Sequence, residues 1–249
     1  MLNTWKSRVS QINARTWFSI QANAAPEHAD VLIYDYIGWG GVTAVDFAKE
    51  LQAIQAKTIT VRLNTPGGDV FDGLAIHNSL KAHGAAIHVK VDGLAASIGS
   101  IIAMAGSTIT MGESAFLMIH NPWALVIGNA KDMREMADTL DKIGGSLAGV
   151  YASRKNVTKD QAQAWMDAET WFTADEAVAA GLADAVEAQP TAENRAAFDL
   201  SGYANLPTAL QLNGSTASAG DGAVDERSKQ MAAVNRKRLA LVQRDERSR

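Results

Sequence analysis

The chain has 249 residues, of which 47% are hydrophobic and 20% charged, and it carries a net charge of −4. This composition is ordinary for a globular protein with a sizeable core, and the charge gives no reason to expect a nucleic-acid partner. Cysteine is absent, which excludes disulfides, thiolate nucleophiles and thiolate metal sites.

Neither a membrane span nor a secretory signal is expected. The apolar runs fall well short of the roughly 20 residues that a span requires, and the N-terminus has no apolar h-region. The five histidines show no paired metal-ligand spacing, so we expect no metal and no other cofactor. A cytoplasmic protein with no membrane partner is the resulting expectation.

Strand and helix signals alternate from the N-terminal third of the chain to about residue 187. The β-rich runs Val31–Tyr34, Thr58–Leu63 and Ile87–Val91 are separated by stretches with apolar residues at helical spacing. Thr43 fits the N-cap of the first such helix. Successive β-to-α passages predict right-handed crossovers on a largely parallel sheet, and therefore an α/β fold.

The next segment brings two polar residues to element boundaries. Ser97 lies in a Gly- and Ala-rich stretch that leads into a short apolar helix, and His120 follows a strand predicted at Ala115–Ile119. Strand ends are where catalytic groups tend to lie. A long amphipathic helix is predicted from Lys131 to Tyr151, with Gly144-Gly145 as its weak point.

Helix-boundary signals continue after that helix. Thr158 and Thr173 each begin a capping box, and Gly181 suits the C′ position of the second of these helices. The pattern decays beyond Pro190, and Asn213–Gly222 has linker composition. From Asp221 onward there are eight Lys or Arg residues against five Asp or Glu, in a segment that favours only a marginal helix.

Acyl transfer needs a hydroxyl nucleophile, a base and main-chain donors for the oxyanion, and Ser97, His120 and Gly67-Gly68 offer these in one span. Each also has a structural explanation: a small residue at a packing contact, a hydrogen-bonded histidine and a plain turn. The G-x-S-x-G elbow of α/β-hydrolases is not matched, because Ala95 replaces the first glycine.

Four ordered blocks together resemble the Clp peptidase family over roughly residues 30 to 187. They are Asn64–Gly68, Gly93–Gly99, Met118–Pro122 and Phe172–Asp184. The resemblance implies a Clp/crotonase-like stacked β-β-α superhelix with a helical handle and a largely flexible C-terminal extension. With the composition of the C-terminal part, it predicts an N-terminal segment (1–29), a serine peptidase domain (30–187), a linker (188–222) and a charged tail (223–249).

The same resemblance implies a role for each matching position. Ser97 becomes the nucleophile, His120 the general base, and the amides of Gly68 and Ile98 the oxyanion hole. The family's third triad member is an aspartate, whereas the matching position here is Glu169, whose extra methylene requires a slightly more distant backbone. Asp167 is the reserve candidate.

The N-terminal blocks Trp17–Ile20 and Ile33–Ala44, with the long C-terminal extension, resemble the Clp-related head maturation proteases of tailed phages and prophages. That branch implies capsid or scaffold proteins as substrates, a homo-oligomeric ring and a location in the host cytoplasm or the prohead interior. Three alternatives stay open. They are a housekeeping Clp subunit served by an ATPase unfoldase, a crotonase-like acyl-CoA enzyme, and a non-catalytic scaffold component.

Overall fold

The computed structural model describes residues 21–22, 27–38, 40–188 and 198–211. The chain divides into two compact units, Met1–Pro207 and Thr208–Arg249. The second unit is described only by a four-residue helix, α7 (Thr208–Gln211). The Trp17–Ile20 block, the linker stretch Asn213–Gly222 and the predicted tail helix lie outside the described residues.

Eight strands and six further helices make up the described part of the first unit. The strands are β1 (Gln21–Ala22), β2 (His28–Ile33), β3 (Thr58–Thr65), β4 (Ala86–Ala96), β5 (Thr108–Gly112), β6 (Phe116–Ile119), β7 (Thr170–Thr173) and β8 (Ala185–Glu187). The helices are α1 (Ala44–Ala53), α2 (Val70–Ala82), α3 (Ile98–Ala103), α4 (Ala130–Tyr151), α5 (Lys159–Asp167) and α6 (Ala174–Ala179).

The sheet is largely parallel, which confirms the predicted α/β fold. Strands β2, β3, β4, β5 and β8 pair in that order, each parallel to its neighbour, and β1 joins β2 in antiparallel orientation. Strand β4 is long enough to serve two partners, since its first half pairs with β5 and its end pairs with β6. Strand β7 then pairs antiparallel with β6. This fork brings the functional residues together.

The predicted helix boundaries are confirmed at Thr43, Thr158 and Thr173, whose hydroxyls accept main-chain N–H groups at the helix starts. Gly181 follows α6 in the left-handed region, with φ +79°. The long helix predicted from Lys131 to Tyr151 is confirmed as α4, which continues through Gly144-Gly145 without a break. Its C-terminal half packs on the core, and packing outweighs the roughly 1 kcal/mol helix cost of a glycine.

Three strands, β1, β7 and β8, were not anticipated from the sequence. Strand β1 has only two residues. Strands β7 and β8 have four and three residues, too short to show a periodic pattern, and β7 directly precedes α6. Among the described residues, no helix combines the length and apolar character needed to cross a membrane.

Candidate active site

Ser97 and His120 meet because β4 and β6 are parallel neighbours. Ala96 pairs with Met118 in the last register position, and the Ser97 amide donates to the Met118 carbonyl at 3.0 Å. Both strands therefore end side by side, each followed by one of the two residues. The Ser97 Oγ lies 2.7 Å from His120 Nε2, which is hydrogen-bonding distance.

Ser97 occupies a strained backbone conformation at the start of α3. Its φ of 54° and ψ of −128° are uncommon for a residue with a side chain. Its hydroxyl makes no capping hydrogen bond to the helix that follows. The sharp turn therefore presents the hydroxyl to His120 and not to the backbone of α3.

Glu169 is brought to His120 by the antiparallel pairing of β6 with β7. Ile119 pairs with Thr170, so the residues immediately beyond this pair, His120 and Glu169, come from adjoining strand ends. The pKa of His120 is lowered mainly by burial, and the negative charge of Glu169 opposes that effect. The imidazole is consequently neutral at neutral pH, as a general base requires.

Asp167, the reserve candidate, is directed to other partners. Its Oδ1 accepts hydrogen bonds from Asn121 Nδ2 at 2.9 Å and from Gln163 Nε2 at 2.8 Å. These two donors lower the pKa of the Asp167 carboxyl, which is fully exposed. The strand register therefore brings Glu169 next to the histidine, whereas the Asp167 carboxylate is bound by Asn121 and Gln163.

Gly67 and Gly68 form the loop that approaches Ser97, and both require glycine. Their φ angles are +92° and +148°. A Cβ on Gly67 would lie 2.7 Å from the Ser97 Cβ, and one on Gly68 would lie 2.1 Å from the Ile37 carbonyl oxygen. In the part of the chain that the structure describes, the amides of Gly68 and Ile98 donate to no main-chain carbonyl. Both amides are thus available beside the nucleophile.

A small cleft adjoins the Ser97–His120 pair. Its other lining residues are mainly apolar and come from α2, α3, α4 and the segment after His120: Val70, Ile98, Ile101, Pro122, Leu147 and Tyr151. The buried Tyr151 hydroxyl hydrogen-bonds the Ser100 hydroxyl at 2.7 Å. The surface next to the serine is therefore mainly apolar.

One part of the site was missed by the sequence analysis, which assigned it to a linker. Residues 198–207, which we call the strap, return to the first unit. Phe198, Leu200 and Tyr203 of the strap pack against a small apolar cluster of Leu94, Ala96 and Met118. Three large apolar residues within six positions of a polar stretch were the available signal.

The strap contacts both His120 and Glu169. The rings of Tyr203 and His120 meet edge to face with centroids 5.5 Å apart. The Glu169 carboxylate accepts the amides of Ala204 at 3.0 Å and Asn205 at 2.6 Å. The Asn205 side chain also donates to the Ala168 carbonyl at 2.8 Å. A segment 35 residues downstream therefore reaches the candidate triad.

Comparison with known proteins agrees with this geometry. The family model for Clp protease matches residues 28–190, about two thirds of the chain. The chain belongs to the Clp protease family. Within that family the proteolytic subunit 3 of the ATP-dependent Clp protease from Rhodococcus jostii is 32% identical over 133 residues. The corresponding proteolytic subunit from Bacteroides fragilis is 30% identical over 135 residues.

Each alignment covers 52% of this chain and, respectively, 65% and 64% of the relative, so the chain spans just under two thirds of their length. Among solved structures, a ClpP1 point mutant from Listeria monocytogenes superposes with a TM-score of 0.58 at 23% identity. The superposed region covers 64% of this chain and 91% of the Listeria chain. The likeness establishes a shared fold, and it agrees with the stacked α/β architecture expected from the sequence.

Proposed function

We propose that this chain is a serine endopeptidase with Ser97 as nucleophile, His120 as general base and Glu169 as the residue that orients the imidazole. The observation that carries the proposal is the 2.7 Å contact between Ser97 Oγ and His120 Nε2 within a Clp family domain. Family membership favours this chemistry over the crotonase-like acyl-CoA alternative, which needs no serine nucleophile.

In this mechanism Ser97 attacks the scissile carbonyl while His120 takes the hydroxyl proton and later delivers it to the leaving amine. The Gly68 and Ile98 amides donate to the oxyanion that forms, and Ile98 lies at the start of α3, where the helix dipole also favours negative charge. Glu169 stabilises the imidazolium that exists after proton transfer. Water then attacks the acyl-enzyme. His120 takes a proton from that water and returns it to the Ser97 oxygen, which releases the acid product.

Labelling with a serine-directed fluorophosphonate tests the chemistry directly. The wild-type chain is expected to gain one adduct, located at Ser97 by peptide mass spectrometry. The Ser97→Ala variant should gain none while keeping its circular dichroism spectrum. An adduct elsewhere, or undiminished labelling of Ser97→Ala, would overturn the assignment of Ser97, and a wild type that gains no adduct would favour the non-catalytic scaffold alternative.

For the substrate, we propose capsid or scaffold proteins cut during phage head maturation. Support comes from the resemblance of the N-terminal blocks to that branch and from the extension after the peptidase domain, which is net positive from Asp221 while the rest is negative. Coexpression with a candidate capsid protein, comparing wild type with Ser97→Ala by intact mass, tests it. Identical capsid masses in the two cultures would count against this substrate.

A second candidate is a housekeeping proteolytic subunit, and the names of the similar proteins favour it. Both relatives above are proteolytic subunits of ATP-dependent Clp proteases. An unfoldase with ATP should then stimulate degradation of a folded protein. The maturation protease should instead cut its capsid substrate without ATP, so adding and omitting the nucleotide separates the two functions.

We also propose a homo-oligomeric ring. The segment between His120 and α4 exposes three large apolar side chains at alternate positions, Trp123 (71% exposed), Leu125 (53%) and Ile127 (93%). Exposed apolar residues clustered in one segment are typical of protein interfaces. Light scattering should show a higher-order assembly for the wild type and smaller species for Leu125→Asp/Ile127→Asp. An unchanged mass of that variant would exclude this segment as the interface.

A further inference from the structure

We propose that the strap, residues 198–207, contributes to catalysis by positioning two residues of the candidate triad. Tyr203 positions His120, and the main chain of residues 204 and 205 supports Glu169. The proposal rests on the peptidase function proposed above. It assigns a catalytic contribution to a segment beyond the match to the family model, which ends at residue 190.

Tyr203 contacts three parts of the site with one side chain. Its ring lies edge to face with His120 and with Trp171 of β7, both at 5.5 Å between centroids. Its hydroxyl donates to the Pro66 carbonyl at 2.5 Å, immediately before Gly67 and Gly68. The base, the strand that follows Glu169 and the oxyanion loop are thereby joined through a single residue.

Glu169 has a particular need for such support. A glutamate has one more rotatable bond than an aspartate, and ordering it costs conformational entropy. Its backbone also lies in the left-handed region, with φ +45°. The amides of Ala204 and Asn205 each donate to one of the two carboxylate oxygens, and Trp171 Nε1 adds a longer contact at 3.4 Å. These donors fix the carboxylate in the place from which its charge raises the pKa of His120.

The position of the strap favours support over blockade of the substrate. The residues that line the cleft beside Ser97 all lie between positions 70 and 151, and none belongs to the strap. The strap instead packs on Leu94, Ala96, Met118 and Trp171. The strap thus lies outside the lining of this cleft and does not cover it.

Substitutions at Tyr203 in the full-length chain test the aromatic contact. Tyr203→Phe keeps the ring and loses the bond to Pro66, so we expect kcat to fall only a few-fold with an unchanged pH profile. Tyr203→Ala removes the ring, and we expect kcat to fall on the order of 100-fold with little change in KM. Its acid limb of kcat/KM should move to higher pH, because water then reaches His120, whose pKa burial lowers. Glu169 is the charged group acting on that ring.

Tyr34→Phe is the matched control for loss of a tyrosine hydroxyl. The Tyr34 hydroxyl donates to Asp92, which also pairs with Arg62, outside the candidate site. This variant is expected to retain wild-type kcat and pH dependence.

Substitutions at Asn205 test the support of Glu169. Asn205→Pro removes the N–H that Glu169 accepts, whereas Asn205→Ala removes only the side-chain bond to Ala168. We expect at least a ten-fold larger loss of kcat for the proline variant than for the alanine variant. Equal losses would mean that the amide contributes nothing beyond holding the strap.

Three outcomes separate the explanations. If wild type takes up no fluorophosphonate and cuts no peptide, the peptidase function fails. If wild type is active and both Tyr203 variants match it in kcat and pH profile, only the strap proposal is overturned. Higher activity in Tyr203→Ala would likewise overturn it and indicate an inhibitory segment. Thermal unfolding of each variant separates two causes of lost activity. A variant that unfolds at the wild-type temperature but has a lower kcat has lost the positioning of His120 and not the fold, and Tyr203→Phe serves as the conservative change.

Discussion

The two halves of the candidate triad are held in different ways. Ser97 and His120 directly follow the ends of two neighbouring parallel strands of the core sheet. The Ser97 Oγ lies 2.7 Å from His120 Nε2. Glu169 follows α5 and directly precedes the outer strand β7, and its carboxylate is bound by main-chain amides from residues 204 and 205. The nucleophile and base depend on adjacent strands, whereas the acid depends on a segment far along the chain.

This difference suggests that a catalytic pair built on a sheet depends little on the identity of the third member. The exchange of aspartate for glutamate moves the carboxylate outward by one methylene. The amides of the strap supply the partners that this longer side chain needs. We therefore expect changes to Ser97 or His120 to abolish activity, and changes to Glu169 or the strap to lower kcat by amounts that depend on the substitution.

The largest effect is expected for His120→Ala, which removes the base from the first half. Loss of a triad base costs on the order of 10⁶-fold in kcat in a well-studied serine protease, and a comparable loss is expected here. Peptide hydrolysis under single-turnover conditions measures it. Retention of more than a hundredth of the wild-type rate would mean that the pair is not the reacting centre.

The next largest effect is expected for Glu169→Gln. The charge that stabilises the imidazolium is lost, and the analogous change costs about 10⁴-fold elsewhere. Because the Glu169 charge raises the pKa of His120, its removal should shift the residual acid limb of kcat/KM to lower pH. In the wild type that limb should already lie below about pH 6.5, the ordinary value for histidine. A limb that stays in place in the variant would contradict the pairing.

Gly68→Ala probes the oxyanion loop that Tyr203 anchors. The new Cβ would lie 2.1 Å from the Ile37 carbonyl oxygen at a φ of +148°, so the loop must shift. Displacing one oxyanion donor should lower kcat on the order of 10²- to 10³-fold with a smaller change in KM. Gly84→Ala is the control, because a Cβ there meets no atom within 4 Å. Equal kcat for the two variants would exclude the loop from catalysis.

The smallest effect is expected for Asp167→Asn. This carboxylate is exposed and is occupied by Asn121 and Gln163, so kcat should stay within a few-fold of wild type. The same assay run beside Glu169→Gln distinguishes the two acids. If Asp167→Asn were the more damaging change, the assignment of the third triad member would have to be reversed.

The sequence was sufficient for the elements with strong local signals. Runs of β-branched residues and apolar residues at helical spacing located β2, β3, β4 and α1, and capping boxes located the starts of α5 and α6. The glycine pair, Ser97 and His120 were recognised through ordered motifs. Each of these signals lies within a few consecutive residues, which is why pattern analysis detects it.

Other features required the tertiary structure. Strands β7 and β8 are too short for periodicity, and the continuity of α4 through Gly144-Gly145 depends on packing against the core. The preference for Glu169 over Asp167 rested on a motif match alone, and the β6–β7 register adds the spatial reason that Glu169 lies at the strand end next to His120. The contacts of the strap were not predictable from its own sequence, because they join residues more than 30 positions apart.

The amino-acid sequence by itself determined which chemical groups this protein possesses and which local elements carry them, because hydrophobic period, caps and glycines act over short stretches. Only the tertiary structure showed that the ends of β6 and β7 bring His120 and Glu169 together and that residues 198–207 return to contact both. Strand register and long-range packing fix those contacts, and no single stretch of the sequence is sufficient to predict either of them.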